Sequence, residues 1–242
     1  MIKITGPLFK WFGSKWASSK LLPGPLHMTI IEPFAGGAGY ALRYNHHNVE
    51  LYESNLELIQ LWRFLINAKS RDILEIPINL AIGTDIRTIG LSADQALLLK
   101  YWQRTNNIGP CYTVSGWGNL PGQWTKATRS RIAVEIEGIR HWKVMGQNGF
   151  TAFGNHKPAT WFVDPPYQYN YDYKGKFKFN HEALARAVGT CKGQIIVCEA
   201  LCPKTRSMPD YLPFKFWGER VTSRRKSGNH THSCELIYET NE

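Results

Sequence analysis

Short apolar runs that alternate with helical patterns constrain this chain more than any other feature. Residues 29–34, bounded by Pro25 and a glycine cluster, form an apolar run that predicts a buried strand. Residues 37–45 read as helical, and 49–53 as a second strand. Residues 55–68 then place Leu58, Leu61, Trp62 and Leu65 at helical spacing. Strand, helix, strand, helix is the pattern of a parallel sheet, because parallel neighbours need a crossover rather than a tight turn. The expectation is an α/β fold with helices on both faces of the sheet. Strand signals return at 160–163, 194–198 and 235–238. Between the two halves a helix is expected over 92–104, with Ser92 as its N-cap. Residues 106–128 are dense in Asn, Gly, Pro, Trp and Thr, and a loop that long inside a compact domain is usually functional. The organisation read from the sequence is a core at 1–65 and 136–242, interrupted by a mostly helical and loop insert at 66–135.

A chain of 242 residues is long enough for one such domain with an insert. Its 29 Lys and Arg outnumber 19 Asp and Glu, a net charge of +10 that favours a polyanionic partner through counterion release. Nine Trp, including Trp117 and Trp124 in loop-like sequence, are interleaved with basic residues. That combination suits a surface that holds phosphates and stacks on bases. No apolar run reaches the roughly 18–20 residues of a membrane helix, and the start lacks the apolar stretch of a secretory signal. With an odd five Cys, reduced thiols in the cytoplasm are expected, with no membrane partner and a monomeric chain. Cys198 and Cys202 have the spacing of a helix face and read as small buried residues. His230, His232 and Cys234 would share a strand face, but no fourth ligand accompanies them, so no metal is expected.

Three segments carry chemistry. Glu32-Pro33-Phe34-Ala35-Gly36-Gly37-Ala38-Gly39 closes the first strand; glycines there permit a tight turn and close backbone approach. Glu53 closes the next strand, where nucleoside-binding folds place a carboxylate on ribose hydroxyls. Asp164-Pro165-Pro166-Tyr167 follows the strand at 160–163. Two successive prolines have no backbone N–H, so the loop offers a carboxylate and carbonyls, all acceptors, which suits an exocyclic amine. Tyr167 adds a face on which a purine can lie. The third segment, Lys10-Trp11-Phe12-Gly13-Ser14-Lys15, offers a Trp face and a Lys amine for a charged tail.

Together these segments resemble the Dam-type class of S-adenosylmethionine-dependent DNA adenine-N6 methyltransferases, which carry K-W-x-G-x-K, E-P-F-x-G-x-G, an acidic residue closing the second strand, and D-P-P-Y, in that order. The resemblance spans the core and is weakest over residues 66–140. It implies a Rossmann-like methyltransferase sheet and a base flipped out of the duplex for methylation, with S-adenosylhomocysteine as the by-product. Trp11 and Lys15 would contact the cofactor. Glu32, Pro33, Phe34, Gly36, Gly37 and Gly39 would form the turn around its methionine portion, and Glu53 would hold the ribose. Asp164 and the Pro165 carbonyl would accept the two amine hydrogens of adenine, Pro166 would keep the loop free of donors, and Tyr167 would stack. Asp164 would also border the cofactor. Relatives often carry Asp-Phe before D-P-P-Y; this chain has Asn148-Gly149-Phe150, so either the cofactor adenine falls to Asn148 or backbone, with Phe150 beside it, or cofactor affinity suffers. The insert would read duplex DNA through Arg104, Asn106, Asn107, Tyr112 and Lys126, with residues 103–122 as the probing loop or hairpin. Arg224, Arg225 and Lys226 would form a basic stretch before the last strand. Two alternatives stay open at this point: a non-catalytic nucleic-acid-binding module with this core, and a methyltransferase acting on cytosine N4 or on RNA.

Overall fold

The computed structural model describes residues 2–103, 110–116, 118, 120, 122–154, 157–167, 179–200, 223–224 and 234–241. In chain order the elements are β1 (Thr29–Glu32), β2 (Asn48–Tyr52), α1 (Leu56–Asn67), α2 (Ser70–Leu74), α3 (Ala93–Trp102), α4 (Lys126–Glu135), β3 (Lys143–Met145), β4 (Ala159–Val163), α5 (His181–Val188), β5 (Gly193–Ala200), β6 (Ser223–Arg224) and β7 (Cys234–Asn241). They fall into two compact units. A helical unit comprises residues 1–16, 36–46 and 55–144, and a sheet unit comprises 17–35, 47–54 and 145–242. The 66–135 segment lies wholly within the helical unit.

The sheet has the order β3-β2-β1-β4-β5-β7-β6. β2, β1, β4 and β5 run parallel, pairing Ile30 with Val49 and Thr160, and Trp161 with Ile195. β7 runs antiparallel to β5 and β6. This is the doubly wound order with one reversed strand slotted in near the end. Every residue of β4 is buried, as expected of a strand covered on both faces. One covering element is α5, whose N-cap Asn180 accepts from Ala183 N at 2.8 Å. It packs Leu184, Ala185 and Val188 against Trp161, Val163 and Ile195.

Two expectations about secondary structure change. Residues 37–45 form only one short 3-10 helix, Ala41–Tyr44, because Gly36 and Ala38 have φ of 49° and 43°. A helix cannot propagate through the left-handed region. Cys198 lies on β5, fully buried, so the four-residue spacing to Cys202 is not a helix face; Cys202 is outside the described residues.

In the helical unit, Asn55 caps α1, and α3 carries the expected cap: Ser92 Oγ accepts from Gln95 N at 3.2 Å while Gln95 Oε1 accepts from Ser92 N at 3.0 Å. Trp124, read as part of a loop, is buried and donates its indole N–H to Pro77 O at 2.9 Å; Trp117 is outside the described residues. Trp62, Trp102 and Trp142 are buried in the same manner, each donating to a backbone carbonyl, that of Gly36, Leu8 or Asn45. These indoles build the interior; they are not a base-stacking surface.

Glu135 ties the chain's beginning to α4. Its carboxylate is buried, accepts from Thr5 N and Thr5 Oγ1 at 2.7 and 2.5 Å, and pairs with Arg131, whose other arm donates to Pro7 O at 2.8 Å. Removing it strands two donors and a guanidinium. Glu135→Ala is expected to lower unfolding free energy by about 3 kcal/mol in urea titration, and Glu135→Gln by less.

Candidate active site at the carboxyl edge of the parallel strands

The chain leaves β1 towards β2 on one side, while β4 continues towards β5 on the other. β1 and β4 nevertheless pair directly, through Ile30–Thr160 and Ile31–Trp161. Their carboxyl ends therefore flank a topological switch point, the crevice where open α/β sheets bind ligands. Three sequence-predicted segments end there: Glu32-Pro33-Phe34 after β1, Glu53 after β2 and Asp164–Tyr167 after β4. With strands about 4.8 Å apart, these three neighbours span roughly 10 Å.

Asp164 is half-buried and Pro165 buried. The Tyr167 hydroxyl donates to Asp164 Oδ1 at 3.0 Å, closing the tetrapeptide on itself. His181 Nε2 lies 2.9 Å from the Pro166 carbonyl. This contact had no signal in the sequence. Burial holds the His181 pKa below the ordinary 6.5, against the opposing pull of the Pro166 and Phe179 carbonyls.

Glu32 is 2% exposed, a carboxylate at the end of β1 with a hydrogen-bonded or charged partner. Glu53 is half-buried; its Oε1 accepts from Ser54 N at 2.9 Å and its own N–H donates to Met145 O at 3.3 Å. That brings the 145–150 segment to the same edge. Phe34, Phe150 and Phe179 form a cluster with centroid distances of 5.4–6.1 Å, extended by Phe153 stacked on Trp161 and by His181 against Phe179 at 4.9 Å.

The departure at Gly149 has a steric cause. A Cβ there would lie 2.0 Å from Pro33 O and 2.8 Å from Phe34 Cε1, so no Asp fits. Asn148 is exposed, and its Oδ1 accepts from Phe150 N at 3.0 Å, starting the 3-10 helix Gly149–Gly154.

The remaining cofactor candidates meet inside the helical unit. Trp11 lies directly on the glycine turn: a Cβ on Gly36 would sit 2.6 Å from its Nε1, and one on Gly37 3.0 Å from its Cβ. Gly39 is as tightly held, 2.2 Å from Trp16 N by the same measure. Lys15 is 4% exposed and its ammonium donates to Gly13 O at 3.0 Å. Beside Gly37, the buried Ser14 Oγ has no hydrogen-bond partner among the described residues. Structure thus brings two sequence segments, Lys10–Lys15 and the glycine turn, into one cradle.

The nucleic-acid candidates are less informative. Arg104, Asn106, Asn107, Arg225 and Lys226 lie outside the described residues, as do His230 and His232. Arg224 is placed on β6. Lys126 is exposed at the first turn of α4. Tyr112 stands between cations, Arg87 at 4.9 Å and Lys100 at 4.6 Å from its ring, each already paired with a carboxylate, Asp85 or Glu57. Gln103, the expected start of the probing loop, is instead buried at the end of α3. Among the described residues no cluster of three or more His, Cys, Asp or Glu is arranged to hold a metal ion. No described helix is long and apolar enough to cross a membrane.

No family model matches the chain, and no curated protein matches it. A solved structure described as a conserved hypothetical protein of Streptococcus pyogenes is similar over 95% of this chain and 95% of its own, at 13% identity and a TM-score of 0.37.

The Gly149 contact is directly testable. Gly149→Ala forces the Pro33–Phe34 turn away from residue 149 and is expected to cost about 1–3 kcal/mol in urea unfolding; a variant as stable as the parent would show that the turn does not pack this closely.

Proposed function

We propose that this protein is a DNA adenine-N6 methyltransferase that uses S-adenosylmethionine and takes the target base out of the duplex. One observation carries the reading: a carboxylate followed by two donor-free residues and a Tyr stands at the carboxyl end of β4, beside the switch point of a parallel sheet. An acceptor-only loop is matched to a group with hydrogens to give, and a nucleobase amine has two.

Each unit, taken by itself, carries groups of the kind a part of the cofactor takes. In the sheet unit, Glu53 offers carboxylate oxygens at the position where ribose hydroxyls are held in such folds. In the helical unit, the Ser14 hydroxyl, with no hydrogen-bond partner among the described residues, and the buried Lys15 ammonium are donors of the kind an amino-acid carboxylate takes. The bound cofactor supplies a methyl carbon activated by positive sulfur and leaves as S-adenosylhomocysteine.

The chain's own part is positioning and electrostatics. Asp164 accepts one amine hydrogen and the Pro165 carbonyl the other, which draws both out of the ring plane and exposes the nitrogen lone pair. Asp164 also stabilises the positive charge that builds on the nitrogen as the N–CH3 bond forms, before the nitrogen gives up one proton to solvent. Tyr167 stacks on the extruded base, returning about 1–3 kcal/mol against an extrusion cost of a few kcal/mol. The excess of ten positive charges favours the DNA backbone, as a monomer in the cytoplasm.

The test is to incubate the protein with labelled cofactor and mixed-sequence duplex DNA, digest the product and identify the modified nucleoside. N6-methyladenine supports the reading; N4-methylcytosine or labelled RNA changes the acceptor. Calorimetry that shows no cofactor binding with or without DNA replaces it with a non-catalytic module. Asp164→Ala is expected to abolish transfer while DNA binding survives, and near-normal turnover would refute the site. Tyr167→Phe, which keeps the ring, is expected to be mild; Tyr167→Ala is expected to lose roughly 10–100-fold, the equivalent of one stacked base.

A further inference from the structure

We infer that His181 is the positioning residue of the Asp164–Tyr167 loop: by donating its Nε2–H to the Pro166 carbonyl it fixes the direction in which the Pro165 carbonyl and the Asp164 carboxylate present themselves. The inference rests on the methyltransferase reading for its chemistry, and on the geometry alone for the hydrogen bond.

The two prolines lock their own φ near −65° and remove two donors, so the loop has few ways to satisfy or orient its carbonyls from within. What stays soft is the rotation of each peptide plane after its Cα. The Tyr167 hydroxyl closes the loop onto Asp164 at 3.0 Å, which joins its two ends without fixing the planes between them. His181 supplies that fixing from a different element. It is the first residue of α5, whose register is set by the Asn180 cap at one end and by buried Leu184, Ala185 and Val188 along its length. Its ring is packed edge-on against Phe179, 4.9 Å away, and Phe179 lies against Phe34 after β1 at 5.4 Å. The donor that reaches Pro166 O is thus referenced to the same turn that ends at the cofactor side of the edge. With Pro166 O taken, the imidazole leaves the Pro165 carbonyl as the neighbouring backbone acceptor for an amine hydrogen. The ring meets two carbonyls, Pro166 O at 2.9 Å from Nε2 and that of Phe179; half-burial favours the neutral ring, which has one N–H to give, and the inference places it on Nε2.

The role is distinct from that of a catalytic residue, since His181 acts through Pro166. The experiment compares the full-length wild type with His181→Ala and His181→Gln; Gln carries an N–H at the reach of Nε2 and no ring. Turnover and KM for mixed-sequence duplex DNA are measured by N6-methyladenine release, cofactor-product affinity by calorimetry with S-adenosylhomocysteine, and the ring tautomer by side-chain nitrogen NMR. His181→Ala is expected to lower kcat about 10–100-fold, the penalty of a misplaced reacting group, with KM for DNA and affinity for S-adenosylhomocysteine changed less than about threefold, and His181→Gln is expected to recover most of kcat. A kcat left unchanged by His181→Ala overturns the inference, and so does an equal loss in Ala and Gln variants, which marks the ring as packing only. An Nδ1–H tautomer overturns it without reference to activity. A wild type that methylates no nucleic acid while showing the Nε2–H tautomer overturns the methyltransferase reading, and with it the catalytic role of a hydrogen bond that then stands confirmed.

Discussion

The parallel pairing of β1 with β4 is the constraint on which the site depends. Ile30 opposes Thr160 and Ile31 opposes Trp161, yet the chain departs from the two strands in opposite directions along the sheet. No connection crosses between their carboxyl ends, so the segments that follow β1 and β4 flank the switch point. In this chain Glu32 and Phe34 stand at the end of β1, Asp164 and Tyr167 after β4, and Glu53 after β2, one strand further out. Fold and chemistry are therefore one argument in the sheet unit.

A crevice alone does not orient a loop, and the aromatic cluster supplies the orientation. Trp161 within β4 stacks on Phe153; Phe153 meets Phe150, Phe150 meets Phe34 and Phe179, and Phe179 meets His181. Each contact is worth about 0.5–1.5 kcal/mol beyond area burial. Their more important effect is to reference the turn after β1, the 3-10 helix before β4 and the start of α5 to one another within the sheet unit. Gly149 shows how tightly: the backbone of Pro33 occupies the space where its side chain would begin. The residue that distinguishes this sequence from the D-F pattern is a glycine because the turn after β1 lies against it.

The parallel strands were legible in the sequence because their signals are local: apolar runs bounded by Pro and Gly, and a cap such as Ser92 with Gln95 three residues on. What was not legible depended on distant partners. Residues 37–45 have acceptable helical composition, but Trp11 packed on Gly36 and a left-handed Ala38 defer the helix to a single short turn. Trp124 sits in a stretch of Gly, Pro and Thr that reads as a loop, and only the Pro77 carbonyl shows it to be interior. His181 is invisible for the same reason: nothing in the sequence relates it to Pro166 until α5 is laid against β4. The candidate site was legible as a set of motifs, whereas the contact that orients it was not.

The buried tryptophans also change which feature of the composition bears on a nucleic-acid partner. The sequence offered two, aromatic residues and positive charge, and the described indoles of Trp62, Trp102, Trp124, Trp142 and Trp161 are spent inside the protein. The charge is not spent in that way. Each described ion pair, such as Arg131 with Glu135 or Arg140 with Glu137, removes one charge of either sign, so the excess of ten survives all of them. Affinity built on that excess falls steeply with added salt, because it comes from displaced counterions. Affinity built on stacking would be far less sensitive. On the proposed reading, charge would hold the partner and Tyr167 would stack on the base that leaves the duplex.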